Sequence, residues 1–95
     1  MAVKILIYRY ISKQQESVVR PFLKQIRQKA LATKGYISGE TLISGDDIEE
    51  NLIISSWESR DDWEAFMEDE DSRGIHYRID QVLGRETIYK IYYMR

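Results

Sequence analysis

Four short segments of the chain are dense in β-branched and aromatic residues, which is the composition of β-strands. They are residues 3–11, 36–44, 51–58 and 87–94. The first is apolar on both faces, with Val3, Ile5 and Ile7 on one and Leu6, Tyr8 and Tyr10 on the other. The last segment has the same property. Because a strand that is apolar on both faces is covered on both, these two strands are expected inside a layered structure.

An amphipathic helix is predicted between the first two strands. Apolar residues recur every three or four positions from Val18 to Leu31, and charged or amide side chains fill the other face. Pro21 is expected in the first turn, where its missing N–H leaves no hydrogen bond unmade, or else at a kink in the helix. The polar residues 12–17 are predicted to be a loop, and Gly35 is predicted to lie just past the helix end.

A second helical region is predicted between residues 59 and 84. Ser59 is an N-cap candidate, with Asp62 three residues later. The acidic run 68–71 interrupts the apolar pattern, so a break is expected there, with Asp71 or Ser72 capping a second segment that ends at Gly84. Because consecutive residues on a helix do not converge on one point, the run predicts a solvated surface rather than a metal site.

The two central strands are predicted to form an antiparallel hairpin, since Gly45, Asp46 and Asp47 between them have turn chemistry. Gly39, inside the first of these strands, predicts a bulge or a close approach of another group to the backbone.

The resulting order, β-α-β-β-α-β, is that of a ferredoxin-like α+β fold. It places four antiparallel strands in one sheet with two helices on one face, and residues 1–95 are expected to form a single domain. No element remains to cover the other face. Because a large exposed apolar patch is a liability for a monomer, the chain is predicted to be a homodimer whose sheets pack face to face.

Composition narrows the classes of function. The formal net charge is −2, with acidic and basic residues interspersed, which disfavours nucleic acid as a partner. No apolar run reaches the roughly 18 residues of a membrane span, so no membrane partner is expected. The chain has no cysteine for thiolate metal sites, and its first residues lack a signal-peptide cleavage site. A cytoplasmic protein is the expectation.

Three motifs carry a resemblance to a known family. Gly35-Tyr36 follows the first helix, Gly39-Glu40-Thr41 lies in the second strand, and residues 56–59, Ser-Trp-Glu-Ser, lead into Asp62-Trp63. With their flanking elements they resemble the dimeric α/β-barrel domain of the antibiotic biosynthesis monooxygenase (ABM) superfamily. The resemblance implies a homodimer with one pocket per subunit, between each sheet and its own helices.

The resemblance also implies an activity. Members include haem-degrading enzymes and cofactor-independent oxygenases of quinols and polycyclic phenols. The expectation for this chain is a cofactor-independent monooxygenase of a phenolic or quinol-type aromatic substrate, with no cofactor and no metal. Because function belongs to sites rather than to folds, it stays open whether the chain is an enzyme. The alternative is a non-catalytic dimeric domain that binds a small hydrophobic ligand.

His76, the sole histidine, flanks the apolar stripe of the last helix and is a candidate catalytic group. Haem-degrading members resemble the chain here, but they pair such a histidine with an asparagine on the first strand and a tryptophan on the second helix. The only asparagine is Asn51, and Phe66 stands about where that tryptophan would be. Haem degradation is therefore disfavoured. A boundary histidine without a function is the other interpretation of His76.

Arg9 is the second catalytic candidate, because it is a charge amid the apolar residues of the first strand. A buried arginine needs a partner. Pairing with Glu40 or Glu58 across the sheet is the structural interpretation, and binding of a phenolate or another anionic substrate is the functional one.

Aromatic side chains are the candidates for substrate binding, because rings stack on aromatic ligands. They are Trp63 and Phe66 on the second helix and Tyr8 and Tyr89 on the outer segments. Packing between helix and sheet is the alternative for each of them. Trp57, at the end of a strand, is expected to be structural.

Overall fold

The computed structural model describes residues 1–95 as four strands and three helices. Strand β1 spans Val3–Tyr10 and is followed by helix α1, Lys13–Leu31. The hairpin strands are β2, Tyr36–Ile43, and β3, Glu50–Trp57. Helices α2, Arg60–Glu68, and α3, Glu70–Leu83, precede the last strand, β4, Ile88–Tyr93. The predicted β-α-β-β-α-β order is confirmed, with the second helical region divided in two.

The strands form one antiparallel sheet in the order β2-β3-β1-β4. In the central strand β1, Val3 lies opposite both Trp57 and Tyr93. Because side chains alternate between faces and opposed residues share a face, the odd-numbered residues of β1, β3 and β4 point to one side. The helices cover this side, where Val3, Ile5 and Trp57 are buried. The predicted ferredoxin-like α+β fold is confirmed.

The core lies between this side of the sheet and the helices. Its ten buried apolar residues are Val3, Ile5, Val19, Ile26, Ala30, Trp57, Trp63, Phe66, Ile79 and Leu83. Trp57 is only 1% exposed, and its indole N–H donates to Ser55 Oγ at 2.7 Å. Its ring centroid lies 5.1 Å from that of Phe66 and 5.3 Å from that of Tyr36. Trp57 therefore joins both hairpin strands to α2.

Helix α1 begins at Lys13 rather than near Val18, so the prediction of a loop over residues 12–17 is wrong. Ser12 is the N-cap of a capping box with Gln15. The Gln15 side-chain amide also donates to the carbonyls of Val82 and Leu83, at 3.2 and 3.3 Å. These contacts to the end of α3 stabilise a first turn that has no apolar pattern of its own.

Pro21 consequently lies inside α1 and not in its first turn. Proline cannot donate to the carbonyl four residues earlier, which belongs to Ser17. Both residues are exposed, so water can take the place of the missing donor.

The junction between α2 and α3 differs from the prediction by about two residues. Ser59 caps α2 as predicted, accepting from the Asp62 backbone N–H at 3.1 Å. The cap of α3 is Asp69, which accepts from the Ser72 N–H at 3.2 Å, rather than Asp71 or Ser72. Asp69 also pairs with Lys29 of α1 at 2.9 Å. Gly84 ends α3 with φ 68°, a left-handed conformation that suits glycine.

All three helices are amphipathic and bury one stripe against the sheet or each other. None of them combines the length and the apolar composition needed to cross a membrane.

Gly39 marks a close approach, one of the two features that the sequence predicts for it, whereas the bulge lies two residues earlier, at Ile37. The pairing of β2 with β3 shifts register between Tyr36 and Ser38. A Cβ atom at Gly39 would lie 2.5 Å from the Tyr36 hydroxyl oxygen, closer than side chains tolerate. The missing side chain thus allows Tyr36 to fold across the strand.

The side of the sheet away from the helices, here called the open face, is covered by no element of the chain. By strand alternation and register its residues are Lys4, Leu6, Tyr8, Tyr10, Ser38, Glu40, Leu42, Glu50, Leu52, Ile54, Ser56, Ile88, Lys90 and Tyr92. Ile88 and Tyr92 are 54% and 52% exposed. The apolar second face predicted for the first and last strands, β1 and β4, is therefore present and faces outward.

Candidate functional site

A cavity of about 610 Å³, here called the aromatic cavity, opens between the helix side of the sheet and the three helices. Its floor comes from strands: Ile7 lies directly opposite Ile53 on one side and Tyr89 on the other. Its volume is within the roughly 300–1,000 Å³ of small-molecule sites. The space is therefore large enough for a ligand of two or three fused rings.

Helix α2 supplies the aromatic wall. Phe66 and Met67 follow Trp63 by three and four residues, which places both on the same side of the helix as Trp63. The Trp63 ring centroid lies 6.0 Å from that of Tyr89 on β4. Helix and sheet thus present rings to the same space.

Five of the six predicted site residues line the aromatic cavity: Arg9, Trp63, Phe66, His76 and Tyr89. The sixth, Tyr8, does not. Strand alternation directs it to the open face, where the Lys90 Nζ atom lies 5.4 Å from its ring centroid. Tyr8 therefore lies outside the aromatic cavity, which the sequence could not show, because a strand that is apolar on both faces does not reveal which face meets the helices.

His76 lies edge-on to two rings, with its centroid 5.9 Å from that of Phe66 and 6.3 Å from that of Tyr89. Burial, reinforced by the positive charge of Arg9, lowers the His76 pKa to about 4. The Ser72 carbonyl and Asp80 act in the opposite direction and are outweighed. Nδ1 is buried without a hydrogen-bond partner. At neutral pH the ring is uncharged and can accept a proton.

Arg9 is 4% exposed and is held by a chain of polar groups. Its Nε donates to Thr87 Oγ1 at 3.1 Å, and the Thr87 hydroxyl donates to Asp80 Oδ1 at 2.6 Å. Burial lowers the Arg9 pKa, while Tyr89 and Asp80 oppose that effect. The cation therefore interacts with a carboxylate through a hydroxyl rather than through a direct ion pair.

Pairing of Arg9 with Glu40 or Glu58, the structural interpretation of the sequence, is wrong. Arg9 forms an ion pair with neither. Glu40 lies opposite Ile54 and so belongs to the open face, and Glu58 is exposed beyond the end of β3. Neither carboxylate lies within ion-pair distance of the buried guanidinium.

Tyr89 completes the group of polar atoms around Arg9. Burial raises the pKa of its phenol, and the adjacent Arg9 cation only partly opposes this. The hydroxyl stays protonated at neutral pH. It is therefore available as a hydrogen-bond donor to a ligand oxygen.

Asp80 and Thr87 are functional candidates that the sequence patterns did not reveal. Asp80 follows His76 by four residues on α3, a spacing that places two side chains on one helical face. That signal was present in the sequence. No such signal exists for Thr87, because only the return of β4 beside β1 brings it to Arg9.

No protein-family model matches the chain, and no curated protein sequence does. Solved structures match its full length. A conserved protein from Methanosarcina mazei Go1 superposes with a TM-score of 0.89 at 14% identity, over 100% of this chain and 94% of that one. SnoaB, a cofactor-independent oxygenase from Streptomyces nogalater, gives 0.84 at 10% identity, over 99% and 93%. An antibiotic biosynthesis monooxygenase gives 0.83 at 12% identity, over 98% of each chain.

Identities this low establish a shared fold and leave the chemistry to the site. The superpositions cover 99% and 98% of this chain, so they include all four strands and all three helices. The resemblance carried by the three sequence motifs is thus confirmed at the level of the fold: the chain has the fold of the antibiotic biosynthesis monooxygenase superfamily.

Proposed function

We propose that the chain is a cofactor-independent monooxygenase of a planar phenol or quinol bound in the aromatic cavity. The observation that carries this proposal is the placement of an uncharged His76 and a buried Arg9 on the same ring-lined space. A base and a cation together can convert a phenol into its anion. Solved structures named as oxygenases share the fold, and this likeness also supports the proposal.

His76 is the proposed general base. An uncharged imidazole among aromatic rings accepts the phenolic proton, and the nearby Arg9 cation stabilises the phenolate that forms. The imidazolium product would be disfavoured by the same burial that lowers the pKa. The base is therefore suited to transient rather than lasting protonation.

The phenolate is the reductant of dioxygen. It gives one electron to oxygen, and the two radicals combine to form a C–O bond at an electron-rich ring carbon bearing hydrogen. The resulting hydroperoxide loses that hydrogen with its terminal OH as water, which leaves a carbonyl on the ring. The substrate gains one oxygen atom and loses two hydrogens, and the other oxygen atom leaves as water. All electrons come from the substrate, so the step needs no other reductant.

Oxygen uptake with a panel of quinols and polycyclic phenols tests the proposal. Uptake above buffer autoxidation is expected for at least one bicyclic or tricyclic member. His76→Ala should reduce it by about 10²-fold, the lower range for a general base. Tyr77→Phe, a change at the exposed neighbour on α3, is the matched control and should leave uptake unchanged.

Absence of uptake across the panel would reject the monooxygenase. Saturable ligand binding without uptake would favour the alternative, a non-catalytic domain that holds a hydrophobic molecule.

We also propose that the functional unit is a homodimer joined through the open face. Support comes from its apolar side chains and from its charges. Glu40 and Glu50 lie on the β2–β3 half, and Lys4 and Lys90 lie on the β1–β4 half. A twofold axis parallel to the strands would place the acidic half of one copy over the basic half of the other. The open face is thus complementary to itself in charge as well as apolar.

A further inference from the structure

A second, smaller cavity of about 270 Å³ lies beside the aromatic cavity. The two share Arg9, Arg27, Thr41 and Ile53, so they are adjoining parts of one cleft. The smaller one lies at the hairpin end of the sheet, between β1, β2, β3 and the middle of α1. A ligand in the aromatic cavity could extend into it past Arg9.

The smaller cavity is strongly basic. Four of its nine lining residues are Arg9, Arg20, Lys24 and Arg27, and none is Asp or Glu. This differs from the chain as a whole, whose net charge is −2. Positive charge is therefore concentrated at one end of the cleft.

Most of this charge is not neutralised within the chain. Arg20 pairs with Glu16 at 2.7 Å, but Lys24 and Arg27 form no ion pair. Arg27 donates only to the neutral Thr41 hydroxyl, at 3.3 Å. Arg9 is buried and is held from behind by Thr87.

The geometry of α1 and β1 explains why these basic side chains surround one cavity. Arg20, Lys24 and Arg27 are spaced by four and three residues, so they share one side of α1. Arg9 rises from the strand below them on the side of the sheet that the helices cover. Basic residues on an exposed helix are commonly just solvated, but these surround a concavity that ends on a buried guanidinium.

We propose that the smaller cavity is an oxyanion subsite, and that the ligand of the aromatic cavity is a fused-ring phenol carrying a carboxylate, sulfate or phosphate group at the end remote from the reacting ring. Lys24 and Arg27 bind this group, and Arg9 lies between it and the phenol. The inference rests on the proposed function, since it assigns the rings to the aromatic cavity. It adds the substrate class: anionic rather than neutral aromatics.

The test compares two probes that differ in one charge. The probes are 6-hydroxy-2-naphthoate and its neutral methyl ester, titrated against the full chain by calorimetry and by quenching of the tryptophans, of which Trp57 and Trp63 both line the cavity. The acid is expected to bind roughly tenfold more tightly, as one or two hydrogen bonds to a charged group would give. Its advantage should shrink as ionic strength rises.

Lys24→Gln and Arg27→Gln should each weaken binding of the acid severalfold and leave binding of the ester unchanged. Lys13→Gln and Arg73→Gln remove a charge of the same kind from exposed positions outside both cavities, and they should alter neither affinity. Circular dichroism confirms that each variant is folded.

Equal affinity of acid and ester, or an acid preference that survives both Gln variants, would overturn the oxyanion subsite while the aromatic cavity stands as a binding site. Failure of both probes to bind would reject the assignment of rings to the aromatic cavity, and with it both proposals.

Discussion

The two faces of the sheet show how neighbouring residues of one strand acquire different roles. Arg9 and Tyr8 are adjacent in β1. Arg9 faces the helices, is 4% exposed and is held by Thr87 and Asp80. Tyr8 faces outward, and the Lys90 ammonium group lies over its ring. The helix side is a packed layer with a cavity, whereas the open face is an apolar surface without a cover.

Burial, more than residue type, sets the chemistry of the side chains on the two faces. On the helix side, desolvation lowers the pKa of His76 and Arg9 and raises that of Tyr89. Substitutions on the helix side should therefore change stability and chemistry, whereas substitutions on the open face should change assembly.

The largest effect is expected from Trp57→Ala, which empties the centre of the helix side. The variant should lose about 3–5 kcal/mol of unfolding free energy, the usual cost of deleting a buried aromatic ring. Urea denaturation at fixed protein concentration measures it. Tyr77→Ala, at a side chain 64% exposed on α3, should cost less than about 1 kcal/mol. Comparable losses in the two variants would contradict the assignment of the core.

The open face is best tested by assembly. Ile54→Lys places a charge at its centre, on β3. If two open faces pack together, the dissociation constant should rise by at least about 100-fold, since an unpaired buried charge is costly. Sedimentation velocity at micromolar concentration measures it. Ile48→Lys, at the hairpin position that is 82% exposed, is the control and should leave assembly unchanged. A wild-type monomer would reject the homodimer.

The lowered pKa of His76, on the helix side, predicts that the stability of the protein depends on pH. Its pKa is lowered from 6.5 to about 4 on folding, so the unfolded chain binds the proton more tightly. The contribution of His76 to stability is complete above pH 6.5 and is lost as pH falls towards 4. The loss relative to His76→Gln should reach about 2–3 kcal/mol.

The measurement is direct because His76 is the only histidine. Its ring proton resonances in NMR report one titration, and urea midpoints at pH 7.5 and 4.5 give the stability difference. A midpoint near 6.5 in the folded protein would mean that the ring is solvated, and the proposal of a desolvated base would fail.

The smallest effect is expected from Thr87→Val, which keeps the shape but removes the hydroxyl between Arg9 and Asp80. Loss of these hydrogen bonds should cost about 1–2 kcal/mol. Affinity for 6-hydroxy-2-naphthoate should also fall, because Arg9 is no longer held in place. Thr33→Val also removes one hydroxyl hydrogen bond, to the Lys29 carbonyl, away from the cavity. It should not change that affinity. Equal effects of the two variants on affinity would contradict a role of Thr87 in holding Arg9 at the site.

The order and type of the main elements were predictable from the sequence because each rests on a local period. The spacing of apolar residues in α1 and the alternation in β1 are visible without any tertiary contact. Ser59 and Gly84 were predictable as helix ends for the same reason, since capping chemistry is local. The start of α1 was not predictable. Its first turn is polar, and Gln15 is stabilised by carbonyls of α3 that are remote in the sequence.

The candidate site was predictable as a list of residue types and not as an arrangement. His76, Arg9, Trp63, Phe66 and Tyr89 were unusual enough in their segments to be chosen, and the structure places all five on one cavity. The partner of Arg9 was not predictable, because Thr87 and Asp80 reach it only after β4 pairs with β1 and α3 packs over the sheet.

The β-α-β-β-α-β order, the apolar stripe of each helix and the apolar second face of β1 and β4 all follow from the sequence, because they depend on backbone periods of 3.6 and 2. Only the tertiary structure decided which face of β1 meets the helices, and hence that Arg9 is buried and Tyr8 is not. A strand that is apolar on both sides holds no information about this choice. The choice comes from packing, which also desolvates His76 and creates the cavity beside it.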